Sequence, residues 1–83
     1  MMKIAMPLSM VSSGREVKLI EIRGGMGIRR RLADMGLTPG VKFRVVQNNI
    51  VGPSILAVMD SRVVIGRGMA LKIMVEEVNS AKD

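Results

Sequence analysis

Apolar and polar residues alternate in short bursts along this chain, and most bursts end at a glycine, a proline or a pair of asparagines. Period-two alternation marks a half-buried strand, and apolar residues recurring every three to four positions mark one face of a helix. Glu16 to Arg23 reads as a strand, with Val17 and Leu19 on one parity and Ile20 and Ile22 on the other, so a bulge or sharp bend is expected between them. Val41, Phe43 and Val45 alternate with Lys42 and Arg44, which predicts a strand over Val41 to Gln47 with a basic outer side. Ser54 to Asp60, Arg62 to Gly66 and Leu71 to Glu76 supply three more strands, joined by a tight connection at Asp60-Ser61 and a short turn over Gly66 to Ala70. The opening Met6 to Gly14 is too broken for a helix; it is expected to act as a lid, with Leu8 and Val11 plugging one end of the core.

One stretch follows the helical period instead. After Gly24-Gly25-Met26-Gly27, the apolar residues Ile28, Leu32 and Met35 are spaced i, i+4, i+7. Gly36 is placed to take the left-handed position after the helix, where Leu37 then packs back on Leu32, as in a Schellman cap. Thr38-Pro39-Gly40 turns the chain into the next strand. Five short strands and one short helix predict a small all-β fold: a five-stranded, strongly bent antiparallel barrel. Closing the barrel would also remove exposed sheet edges.

Length and composition narrow this picture. Eighty-three residues make a single domain over 1–83, with a core from about residue 7 to 78 and a frayed tail over 79–83. Only one aromatic, Phe43, is present, so the core is built from Val, Ile, Leu and Met. The longest apolar run, Ile55 to Met59, is far short of a membrane span, and no insertion into a membrane is expected. Lys3 to Met6 resembles the start of a signal peptide, but Pro7 and Ser9 interrupt the apolar stretch at once.

Cysteine and histidine are both absent, which removes disulfides, thiolate and imidazole metal sites, and nucleophile arrangements that depend on either residue. The remaining carboxylates and lysines form no recognisable catalytic constellation, so no enzyme, no resident metal and no cofactor are expected. Glu76-Glu77 is the only adjacent carboxylate pair, and in a strand its members face opposite ways. The nine methionines are scattered, and the residue type usually fills irregular cores.

The net charge of +6 is unevenly placed. Residues 1–44 hold nine basic and three acidic residues, while residues 45–83 hold four of each. That asymmetry points to an anionic partner, against the simpler reading that it serves solubility. Arg29 and Arg30 lie off the apolar stripe of the helix, and Lys42 and Arg44 share the outward parity of their strand. These four are the first candidates for a partner surface. Ile50 and Val51 are the second, since apolar residues between Asn49 and Gly52 have no periodic reason to face the core; packing over the barrel's open end is the alternative. The Gly24 to Gly27 approach to a basic helix matches neither the P-loop nor the dinucleotide fingerprint, which argues against a nucleotide site. For nucleic acid the basic residues offer phosphate contacts, but Phe43 points inward and no stacking platform is left.

Gly14 with Val17 and Ile20, Gly24-Gly25, Arg31-Leu32, Met35-Gly36-Leu37-Thr38-Pro39-Gly40, Val45, Gly52-Pro53, Val64-Ile65-Gly66-Arg67 and Ala70 with Ile73 and Val75 together resemble the FeoA family. The resemblance covers roughly Pro7 to Val78 and is most specific from Arg31 to Gly40. It implies an SH3-like barrel of the small cytoplasmic proteins of ferrous iron transport, non-enzymatic, acting beside FeoB, a membrane transporter with a cytosolic GTPase domain. The same fold ends certain iron- and manganese-dependent repressors, so a nucleic-acid-binding or transcription-regulatory module is the alternative. Gly24, Arg31, Leu32, Gly36, Leu37, Pro39, Gly40, Gly66, Arg67 and Ala70 form the structural part of the signature, read mainly as fold maintenance, with Arg31 as a support for the turn beside the helix. Oligomeric state is left open, a homo-oligomer included.

Overall fold

A computed structural model describes residues 4–49 and 51–78. Ile50 and the 79–83 tail therefore lie outside the described residues. Six strands form one antiparallel sheet: β1 (Met6–Pro7), β2 (Glu16–Ile22), β3 (Lys42–Asn48), β4 (Ser54–Val58), β5 (Ser61–Ile65) and β6 (Ile73–Glu77). Their spatial order is β1-β6-β2-β3-β4-β5. A 3₁₀ turn covers Leu8–Met10, and two helices follow, α1 (Met26–Asp34) and α2 (Arg67–Ala70).

The sheet bends where the sequence changes parity. Leu19 pairs with Val75 and Glu21 with Met74, leaving Ile20 as the extra residue of a bulge. Val17, Leu19 and Ile22 consequently all face the core. A second shift, between Val45 and Gln47, bends β3 against β4. Both bulges strengthen the curl that wraps a small sheet round one apolar centre, and Leu8, Leu32, Leu37 and Leu56 fill that centre with no exposed surface.

The helix end is built as its residues require. The Leu37 N–H donates to the Leu32 carbonyl at 2.9 Å and the Gly36 N–H to the Ala33 carbonyl at 2.9 Å, with Gly36 at φ +87°. These are the two bonds of a Schellman cap, and Leu32 and Leu37 are both fully buried in the one apolar cluster. Next, the Val41 N–H donates to the Thr38 carbonyl across Pro39 and Gly40, the latter at φ +97°. Proline then a left-handed glycine is the pattern of a type II turn.

Four expectations need correction. There are six strands, because Met6–Pro7 pairs with Val75 and Met74 of β6. Residues 67–70 close into a helical turn, and β6 starts at Ile73, which leaves Leu71 outside and 55% exposed. Met35 caps α1 and is exposed, since the last turn tilts only Leu32 fully inward. Finally, β5 does not pair with β1, so the sheet keeps two edges and is not closed by hydrogen bonds.

Candidate protein-interaction surface

Two places on the molecule hold more chemistry than the fold uses. The first is the outer side of β2, β3 and β6 together with the flank of α1. Strand register sets Glu76, Lys18 and Lys42 in a row, with Lys18 opposite Glu76 on one side and Lys42 on the other. Like charges directly opposite each other are unfavourable, so Lys42 ends the row with an excess positive charge. Arg44 lies two residues on along β3, opposite Glu16, and its Nη1 donates to the Gly14 carbonyl at 3.1 Å.

Arg29 reaches a separate shallow cleft of about 190 Å³ with Ile20, Glu21, Ile22 and Pro39. The turn over Thr38 to Gly40 links this cleft to the strand that carries Lys42. Here the Gly40 N–H donates to the Leu19 carbonyl, and the Leu19 N–H donates to the Val41 carbonyl. Arg30 and Arg31 are exposed on α1. Among the described residues the ion pairs are Arg15 with Glu77 at 4.0 Å and Arg23 with Glu21 at 3.7 Å. Arg29, Arg30, Arg31, Lys42 and Arg44 are in neither. The fold thus joins Lys42 to a residue not singled out by sequence, Lys18, whose outward parity beside Val17 and Leu19 was the available signal. Arg44 is partly engaged by the backbone, and Arg30 is exposed next to Arg29 without a described link to the row.

The second place is the end of the molecule near the 48–53 loop. Val51 is 83% exposed and does not pack over the barrel. A cleft of about 260 Å³ opens beside it, walled by Met10, Asn49, Gly52, Arg67 and Leu71. Met10 and Leu71 are both exposed, so apolar surface rims this cleft.

Asn48 organises that end, a role its place in the sequence had not suggested. Its Nδ2 donates to the carbonyls of Leu8 at 3.0 Å and Val11 at 2.6 Å, its Oδ1 accepts from the Ser54 hydroxyl at 2.7 Å, and its backbone N–H donates to Ser13 Oγ at 2.9 Å. One side chain therefore ties the amino-terminal segment to β3 and β4. Ser54 is the buried polar residue of the interior, and Asn48 satisfies it.

The remaining signature residues act on the backbone or the core. Ala70 is fully buried, Gly66 is the extended residue before α2, and Arg67 is exposed beside the cleft. A side chain at Gly24 would begin 2.9 Å from Ile28 Cδ1. Phe43 is 3% exposed, so the chain's one aromatic offers no stacking surface. No group of three or more carboxylates occurs among the described residues, and among them no helix is long and apolar enough to cross a membrane.

A bulged, six-stranded antiparallel sheet with a short capped helix is a small SH3-like β fold. Comparison with known proteins sharpens that class. The FeoA domain model matches residues 6–77, and the chain belongs to the FeoA family. A candidate Fe(2+) transport protein A of Methanocaldococcus jannaschii is 42% identical over 71 residues, which is 86% of this chain and 85% of that protein. The crystal structure of an iron uptake regulatory protein, FeoA, superposes with a TM-score of 0.85 at 36% identity, covering 90% of this chain and all of the other. The FeoA protein of Chlorobium tepidum superposes with a TM-score of 0.80 at 26% identity, over 93% of this chain and 74% of its own. A manganese-dependent transcriptional repressor shares the fold at 20% identity, with this chain spanning 44% of its length.

Proposed function

We propose that this chain is a non-enzymatic, cytoplasmic accessory protein of ferrous iron transport that binds the cytosolic, GTPase-bearing part of a FeoB-type transporter. Membership of the FeoA family supports the transport role. The observation that carries the binding surface is the set of exposed cations Arg29, Arg30 and Lys42, with the half-buried Lys18 beside Lys42, none of which joins an ion pair among the described residues. An acidic protein face is the chemistry such a set attracts, and its first effect is on the rate of encounter.

The test is binding of the transporter's purified cytosolic domain to the immobilised protein at low and moderate salt. Arg29→Glu with Arg30→Glu is expected to lower the association rate at least about tenfold at low salt while leaving thermal stability nearly unchanged. Normal binding by this double variant, together with loss of binding in Val51→Asp, would move the contact to the apolar end and leave the charge excess to solubility. A gel-shift series on single- and double-stranded DNA separates the nucleic-acid reading. Phosphate contacts alone would give binding that falls steeply with salt, and a shift that persists with the transporter domain inert would favour a regulatory module.

A further inference from the structure

The two edges of the sheet are protected to very different degrees. β1 is two residues long and contains Pro7. Short, proline-bearing edges accept no further strand. β5 is five residues long, Ser61-Arg62-Val63-Val64-Ile65, with no proline, glycine or lysine, and among the described residues no element pairs with its outer edge. Val64 is 61% exposed on it.

The register of the β4–β5 hairpin fixes which groups that edge offers. Val58 pairs with Ser61 across the two-residue connection Met59-Asp60. The closing pair of such a hairpin is hydrogen-bonded, so the N–H and C=O of Ser61, Val63 and Ile65 point to β4. Those of Arg62 and Val64 point away, leaving two donors and two acceptors facing out.

We infer that the outer edge of β5 pairs antiparallel with the same strand of a second copy, about a two-fold axis at Val63. In that register Arg62 lies opposite Val64 of the second copy, and the outward donors and acceptors of both residues are matched in both chains. Val63 faces itself as the intervening non-hydrogen-bonded pair. The charges suit the arrangement. Asp60, just before β5 in one copy, and Arg67, just after it in the other, fall at the same end of the seam, so each end carries one acid and one base. No like charges oppose each other, and the Arg62 stem covers the exposed Val64. The contact is smaller than the roughly 1,200 Å² of a stable interface, so self-association falls at about 0.1 to 1 mM.

Two measurements test this. Sedimentation equilibrium of the full chain over a concentration series is expected to show a monomer–dimer equilibrium. Val64→Pro removes only the outward N–H, leaving the ladder to β4 intact, and is expected to weaken the dimer at least about tenfold; Val64→Lys, which keeps the N–H, is expected to do the same by charge repulsion. Circular dichroism melts establish that both variants fold. Independently, Val63→Cys introduces the only thiol of the chain, and mild oxidation is expected to give a disulfide-linked dimer faster than Ser12→Cys, an exposed control far from the edge. A parent that stays monomeric throughout the series, an unchanged constant in folded Val64→Pro, or cross-linking no faster than the control would overturn the proposal. Loss of transporter-domain binding in Val64→Pro with a strictly monomeric parent would mean that the edge takes a strand from another protein.

Discussion

The segment from Leu32 to Val45 and the segment from Asn48 to Ile65 differ in what becomes of their apolar side chains. In the first, Leu32, Leu37, Phe43 and Val45 are all buried, and Gly36 and Gly40 take the left-handed backbone that the cap and the turn demand. In the second, Leu56, Val58 and Ile65 are buried while Val51, Met59 and Val64 stay outside, although they are as apolar as their neighbours. The densest stretch of the family signature thus falls where most of the apolar side chains are buried, Met35 being the exception. Val51 and Met59 lie outside that signature and Val64 within its sparser part, so a contact surface is sought at these exposed apolar residues and along the cations that join no ion pair among the described residues.

The comparison breaks most visibly if the first segment is emptied. Leu32 is fully buried near the end of α1, in the same apolar cluster as Leu37, so Leu32→Ala removes core volume and an apolar residue of the cap together. The expected loss is about 2 to 5 kcal/mol, a large part of what so small a domain holds. The urea midpoint reads it. A midpoint equal to the parent's would mean that the helix contributes little to the core and that the contrast between the segments is overdrawn.

A smaller effect sits at the boundary between them. Asn48→Ala deprives the Leu8 and Val11 carbonyls of a donor and leaves the buried Ser54 hydroxyl without its acceptor. Leaving buried polar groups unsatisfied costs about 1 to 3 kcal/mol. The double variant Asn48→Ala with Ser54→Ala is expected to lose less than the sum of the two single losses, because the second change removes a group the first had orphaned. Strict additivity would show that the two side chains act independently.

Much of this architecture was legible along the chain, and the reasons are local. The bulge at Ile20 appears as a change of parity, and the helix end appears as Gly36 followed by Leu37 at the Schellman spacing. Those features depend on nearest neighbours. Met35 and Leu71 were misplaced because periodicity cannot tell where the last turn of a helix tilts or where a strand gives way to a four-residue helix. Asn48 shows along the chain only as one of a pair of asparagines at the end of a strand, since its partners lie 37 and 40 residues away at Val11 and Leu8. A signal was nonetheless present: Ser54 shares the inward parity of Leu56 and Val58, and a polar residue on that side must find a partner. On the surface, sequence separated outward cations from core residues but could not supply the cross-strand register that sets Lys18 beside Lys42.

The finest test of the contrast is Met59. It is 85% exposed at the tip of the β4–β5 hairpin and holds φ at 55°, the only non-glycine among the described residues with a positive value. An L-residue there carries a backbone penalty of about 1 to 2 kcal/mol. Glycine would escape that penalty, while its greater freedom in the unfolded chain takes back about 0.5 to 1 kcal/mol. Met59→Gly is therefore expected to raise the unfolding free energy by a few tenths of a kcal/mol to about 1 kcal/mol, the difference between those two effects. A residue that the fold holds in a strained conformation and exposes to solvent contributes little to stability through its side chain. Chemical denaturation of the variant against the parent decides the matter. A clear fall in midpoint would mean that the methionine side chain packs on the hairpin in solution, and Met59 would then join the residues the fold consumes.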